Sequence, residues 1–300
     1  MIHGVINIYK EKGYTSHDVV AKMRGILRQR KIGHTGTLDP DAEGVLPVCL
    51  GAGTKLCDML TEHDKTYRAV MLLGKVTDTQ DVSGMVLRET TPDVTEEEVR
   101  ETIAGFVGDY DQIPPMYSAI KVNGKKLYEL AREGKTIERK ARHVVIHGIE
   151  TEEVNLPRVT MTVNCSSGTY IRTLCHDIGE KLGCGACMEE LTRTRVGQFL
   201  IEDSIRLAEL EEKVQSHRLQ ENIISIEEMF SDLPVVKTKP ECDRLLYNGN
   251  PLYISQVVEV DKTENGKWVR MKDSKGSFYG IYEKKKQYGK FHPVKMFFME

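Results

Sequence analysis

The residues with the clearest chemical potential lie in GHTGTLDPDAEGVLPVCLG, positions 33–51. Three glycines close to Asp39-Pro40 make a loop whose backbone can approach a ligand, and the proline biases Asp39 toward extended geometry. An aspartate so placed could be a nucleophile, a general base, a metal ligand or an Asx-type turn residue. The segment lacks the closing Gly-Lys-[Ser/Thr] of a phosphate loop and the GxGxxG of a dinucleotide site. His34, five residues before Asp39, is a candidate base, a ring platform or an ordinary hydrogen-bonded loop histidine. Arg172 stands in SSGTYIRTLCHDIGEKLGCGA, positions 166–186, in the first turn of an expected helix. A cation there opposes the helix dipole by on the order of 0.3–1 kcal/mol. A carboxylate close by would offset this, and an arginine would keep that carboxylate ionised and orient it with two donors. Cys184-x-x-Cys187, with Cys165, Cys175 and His176 upstream, has the elements for zinc, but structural zinc sites usually pair two such knuckles and no second one is present. We therefore expect no metal and no cofactor. Seven cysteines without framework spacing point to reduced thiols, as in a cytosol.

These residues need elements to hold them. Val5–Tyr9 reads as a strand, and Ser16 as the cap of a helix with Val19, Val20, Met23, Ile26 and Leu27 on one face. Positions 33–51 read as a loop. Tyr67–Leu73, Arg158–Cys165 and Met188–Val196 read as strands, Thr95 as the cap of a helix running to about Val107, and Thr169–Leu182 as a helix. QIPPMYSAIKVNGKKLYELAREG, 112–134, reads as an extended segment, a glycine turn and a short basic helix. Positions 201–233 read as an amphipathic helix joining two domains, and the short β-like runs after Pro234 as a small barrel. The class is α+β.

The chain has 300 residues, a formal net charge of -3 and no apolar run near the length of a membrane span. That charge argues against a phosphate-rich partner until it is divided. Residues 234–300 hold 13 Lys+Arg against 8 Asp+Glu, whereas 201–233 hold 3 against 9. Basic clusters then remain around the 33–51 loop, in 112–134, at 193–195 and in the C-terminal module, a distribution suited to nucleic acid.

Taken in order, these segments resemble the TruB family of tRNA pseudouridine synthases. GHTGTLDPDAEGVLPVCLG is similar to the catalytic loop, with Asp39 in the place of the catalytic aspartate; DKTYR (64–68) to the strand supplying a tyrosine, here Tyr67; and SSGTYIRTLCHDIGEKLGCGA to the segment supplying an arginine, here Arg172. LTRTRVG (191–197) matches the strand whose Leu191 lines the uracil pocket, and 112–134 an RNA-gripping insertion. The resemblance implies a pseudouridine synthase fold: a central mixed, mainly antiparallel sheet flanked by helices, with a PUA-like C-terminal β-barrel. It implies a catalytic domain over 1–233, with the insertion at about 109–147, and an RNA-binding domain over 234–300. The expected substrate is tRNA, at uridine 55 of the T loop, flipped out of its stack and attacked by Asp39, with Tyr67 and Arg172 assisting. His34 would prop the loop left behind. Gly33, Thr35, Lys10, Leu191, Tyr117, Lys121, Arg132 and Arg193 are further expected contacts, and Arg28, Arg30, Lys31, Lys125, Lys126 and Arg195 are phosphate candidates. One departure is visible: the family's Lys-Pro-x-Gly turn is Lys10-Glu11-Lys12-Gly13 here, which loosens the expected hold on Lys10. The expected protein is a cytoplasmic monomer with no membrane and no obligate protein partner. The other readings are a tRNA-folding chaperone with a vestigial site and a guide-RNA-dependent synthase subunit.

Overall fold

A computed structural model describes residues 1–122, 124–260, 263–285 and 289–298. Its larger sheet has ten strands among the described residues. The main path runs Ile223–Ile224, Gly4–Lys10, Glu43–Leu50, Ala186–Val196, Lys65–Leu73, Arg158–Cys165, Arg142–Asn155, Gly108–Gln112. Ile32–His34 adds to Glu43–Leu50, and Phe199–Leu200 to Ala186–Val196. Every pairing is antiparallel except that of Glu43–Leu50 with Ala186–Val196. The sheet is thus mixed and mainly antiparallel, as expected.

Lys65–Leu73 shows why a one-sided strand is readable: Tyr67, Ala69, Met71 and Leu73 alternate into the core under the Ile171–Lys181 helix, whose Ile171, Leu174, Cys175 and Ile178 face them. Glu43–Leu50 behaves differently. Val45 and Cys49 enter one apolar cluster while Leu46, Val48 and Leu50 enter another, so seven consecutive residues from Gly44 are buried and no alternation marks the strand. Only residues 35–42 and Gly51 of the 33–51 segment lie outside strands, which corrects the reading of the whole as a loop. Gly44, at φ 105°, marks the point of closest approach: a Cβ there would sit 2.2 Å from the Arg193 carbonyl oxygen.

Two helix starts also differ from expectation. Thr15, not Ser16, caps the first helix (Ser16–Ile26) in a capping box with Asp18. Ser16 is buried instead, with its hydroxyl turned to another task. The Arg172 helix begins at Ile171 and not at Thr169; its N-cap is Tyr170, which supplies no capping side chain. Residues 201–233 are not one helix. Leu207–Gln215 is helical and buries Leu207 and Leu210, but His217 takes a left-handed φ of 57°, and Ile223–Ile224 then adds a strand beside Val5 and Ile6. Between Gly108–Gln112 and Arg142–Asn155 the chain forms a small hairpin, Lys121–Val122 with Lys125–Lys126, and the Leu127–Arg132 helix. Met116, Leu127 and Leu130 make its core.

The second sheet has six strands in the described residues, between Val235 and Met296, and curls into a nearly closed barrel around Val236, Leu246, Leu252, Val269, Tyr282 and Phe291. Phe278, Ile281 and Phe297 lie outside that core and pack on Phe230, Val5 and Val45. The barrel is therefore joined to the larger sheet by shared apolar surface. No described helix is long and apolar enough to cross a membrane.

Candidate active site

Asp39 is presented by a loop fastened on all sides. The buried Ser16 Oγ accepts the Leu38 N–H at 2.9 Å, fixing the residue before the aspartate. Gly13 N–H donates to Pro40 O at 2.9 Å, and Lys10 Nζ donates to Pro40 O at 3.1 Å and to Ala42 O. Thr35 N–H and Oγ1–H both donate to Pro47 O. Asp39 is left with 41% of its side chain exposed, so its carboxylate is the open end of a rigid loop.

Arg172 meets it from the start of the Ile171–Lys181 helix. Nε lies 3.0 Å from Asp39 Oδ2 and Nη2 donates to Oδ1 at 3.5 Å. The rest of the guanidinium is used as well: Nη2 donates to Tyr117 O at 2.8 Å, and Nη1 donates to Thr79 O at 3.1 Å and lies 3.6 Å from Asp81 Oδ2. Its side chain is 6% exposed, so the placement that was unfavourable for the dipole is matched by two carboxylates and two carbonyls. Burial in the crowded loop pushes the Asp39 carboxyl above its ordinary value, Arg172 pulls it down, and the Asp81 charge adds to the rise. Desolvation outweighs the ion pair, so Arg172 limits the rise without reversing it.

Tyr67 and Leu191 share an apolar cluster with Leu38, immediately before Asp39, and each is 8% exposed. Burial raises the Tyr67 phenol, which stays protonated at neutral pH, and the Arg193 guanidinium bonds to it. His34, half-buried on the Ile32–His34 strand, sits edge-on to His17 with ring centroids 6.5 Å apart. Burial lowers its pKa, so the ring is neutral at pH 7. Tyr117 is half-buried and gives Arg172 its carbonyl. Lys121, Lys125 and Arg132 are exposed on the insertion, where Arg132 lies over the Tyr128 ring and Lys125 pairs with Glu133. Arg28, Arg30, Lys31 and Arg195 are exposed too.

Four expected contacts have a different place. Arg193 is 1% exposed, with Nε donating to Val45 O at 2.7 Å and Nη2 to Gly36 O at 3.3 Å. Thr35 and Lys10 are fully buried and spend their donors on loop carbonyls. Burial brings the Lys10 ammonium down to about 8. Gly33 is small because a Cβ would lie 3.0 Å from Cys57 Sγ. Arg193, Thr35 and Lys10 shape the loop from behind and are not surface contacts, while Gly33 is half-buried. The Glu11 departure is compensated: Glu11 Oε1 accepts from Arg206 Nη1 at 2.8 Å, and Arg206 lies over the Tyr9 ring. Removing Arg193 as Arg193→Met should lower the melting temperature, since two loop carbonyls lose their donor at about 1–3 kcal/mol each. The slope of RNA affinity against salt should not change, whereas loss of a phosphate contact would reduce it by about one.

Two groups escaped sequence reasoning. Asp81 and the Thr79 carbonyl, in TDTQDVSG (77–84), complete the arginine's surroundings. That loop is pinned to the Ala186–Val196 strand by Met188 N–H to Gln80 O and Val82 N–H to Met188 O, both 3.0 Å. The Thr-Asp-Thr and Asp-x-x-Gly turn residues were the available signal. Ser16 was noticed but assigned to the wrong task. Among the described residues no group of three or more His, Cys, Asp or Glu side chains is placed to hold a metal.

Residues 24–171 match the N-terminal domain of the TruB family pseudouridylate synthases, and 172–231 match the tRNA pseudouridylate synthase B C-terminal domain. A tRNA pseudouridine synthase B of Lachnoclostridium phytofermentans is 51% identical over 99% of this chain and all of its own length. One from Clostridium tetani is 46% identical over 95% of this chain and 97% of its own. Among solved structures, the crystal structure of a Cbf5-Nop10-Gar1 complex contains a chain 29% identical, with a TM-score of 0.74 over 99% of this chain and 85% of that one. Loop, arginine and tyrosine thus occur within segments matched along most of the chain, and the protein belongs to the TruB family of pseudouridylate synthases.

Proposed function

We propose that this enzyme converts uridine 55 in the T loop of tRNA to pseudouridine, without a guide RNA. The observation that carries the reading is an Asp39 carboxylate, 41% of its side chain exposed, held by a buried arginine beside the apolar cluster that contains Leu38, Tyr67 and Leu191. The isomerisation breaks N1–C1′, turns the uracil, joins C5 to C1′, releases the C5 proton and takes up a proton at N1, with no net oxidation or reduction. Ionised Asp39 acts as nucleophile toward the nucleoside. Tyr67 offers its ring to the uracil and its protonated hydroxyl to the proton-transfer step. Leu191 excludes water beside it. The base leaves its stack at a cost of a few kcal/mol, and His34 fills in behind. Exposed charges on the insertion and at Arg28, Arg30 and Lys31 hold phosphates.

In this reading residues 1–233 are the catalytic domain, with the insertion at about 109–147, and 234–300 are a PUA-like RNA-binding domain. The protein works as a cytoplasmic monomer. Tritium release from a bare T-stem-loop RNA carrying 5-tritiated uridine tests it. Release by the purified chain, with no other RNA or protein, is expected; absence of release, with the RNA bound, would favour a chaperone.

A further inference from the structure

Gln112 ends the Gly108–Gln112 strand at the root of the insertion and is 1% exposed. Its amide holds the backbone of one distant residue at both ends: Nε2–H donates to Tyr170 O at 2.9 Å, and Tyr170 N–H donates to Oε1 at 2.7 Å. Tyr170 is the N-cap of the Arg172 helix and supplies no capping side chain. Tyr170 O also accepts Leu174 N–H at 3.1 Å, so the clamp acts on the first turn itself. Five residues beyond Gln112, the Tyr117 carbonyl receives Arg172 Nη2 at 2.8 Å. The start of the insertion and the start of the helix are therefore joined at two points, with the guanidinium that holds Asp39 at the second.

We propose that Gln112 is a positioning residue for the reaction, locking the insertion root to the Arg172 helix so that one joint sets both the RNA grip and the Asp39–Arg172 geometry. The inference rests on the pseudouridine synthase reading for its link to RNA. An amide suits the place because it is a donor and an acceptor at once; glutamate keeps the acceptor only, and methionine keeps neither. A buried polar clamp of this kind holds its partners only while every member is paired. RNA pulling on the insertion is then transmitted to the arginine through Tyr117 and Tyr170.

The test uses Gln112→Met and Gln112→Glu in the full chain. With saturating T-stem-loop RNA, the single-turnover rate should fall about 10- to 100-fold, the range expected when a reacting group is misplaced by an ångström. In the Arg172→Lys background either change should cause little further loss, because both act through one guanidinium. The Asp39 carboxyl, followed by carbon-13 NMR titration, should move to higher pH in both variants. That readout needs no turnover, so it judges the clamp even if the wild type proves inactive on this RNA, which would count against the reading alone. A folded variant with the wild-type rate and an unmoved Asp39 titration would overturn the proposal. So would weaker RNA binding with rate and titration unchanged, which would make Gln112 a mere anchor for the insertion. Should Gln112→Met fail to fold, Gln112→Glu decides, since it keeps the shape and the bond from Tyr170 N–H.

Discussion

Asp39→Asn should stop pseudouridine formation, with a loss of at least about 10³-fold, while the protein still folds and binds RNA. Asparagine has the shape of aspartate and can still accept from Arg172, but it carries no charge and no nucleophilic oxygen. The loop itself depends on other groups. Leu38 N–H rests on Ser16, Pro40 O on Gly13 N–H and Lys10, and Thr35 on Pro47 O, none of which involves the carboxylate. The 41% exposure of the side chain also means that the substitution opens no core cavity. Tritium release and filter binding on one T-stem-loop separate the two effects. Substantial turnover by the asparagine variant would remove Asp39 from the chemistry.

Arg172→Lys should be the next most damaging change, reducing the rate on the order of 10²-fold. A lysine ammonium has three donors on a flexible stem, whereas the guanidinium here serves Asp39 with two nitrogens and Thr79 O, Tyr117 O and Asp81 with the same plane. The loss should carry a pH signature. The active Asp39 is ionised, and burial already holds its pKa above the ordinary value of about 3.9. Activity in the wild type should then fall on acidification at a higher pH than an ordinary aspartate would give. Since Arg172 opposes that rise, removing it as Arg172→Leu should move the acid limb further up. An acid limb that stays in place, or a near-normal rate for Arg172→Lys, would show that Arg172 does not govern Asp39.

The candidate site residues were legible because each sits in a short ordered motif that carries the family resemblance. Asp39-Pro40 among glycines, Tyr67 in an alternating strand and Arg172 in a first helical turn are local features. The cap of the first helix was misjudged by one residue, and that one residue separates a surface cap from a buried partner of Leu38. The strand Glu43–Leu50 was hidden because burial on both faces erases the period-two pattern. Residues 201–233 looked continuous because the helical spacing of Ile205, Leu207 and Leu210 was extended over the whole acidic stretch, whereas the backbone turns left-handed at His217.

Composition, charge distribution and ordered motifs were enough to assign the α+β class and the family resemblance, and through that resemblance to name Asp39, Tyr67 and Arg172 as candidates. They could not sort basic residues into those that face solvent and those that hold the loop. Arg193 reads as a phosphate contact in LTRTRVG, yet it bonds Val45, 148 positions away, because the parallel pairing of two strands brings them together. Asp81 and Gln112 likewise gain their roles from partners about ninety and about sixty positions distant. Nor could sequence say whether Arg172 or burial would dominate the Asp39 carboxyl, since that balance depends on how much water the folded walls exclude. The family resemblance names the candidate reacting groups; desolvation and long-range pairing in the folded chain set their ionisation and aim.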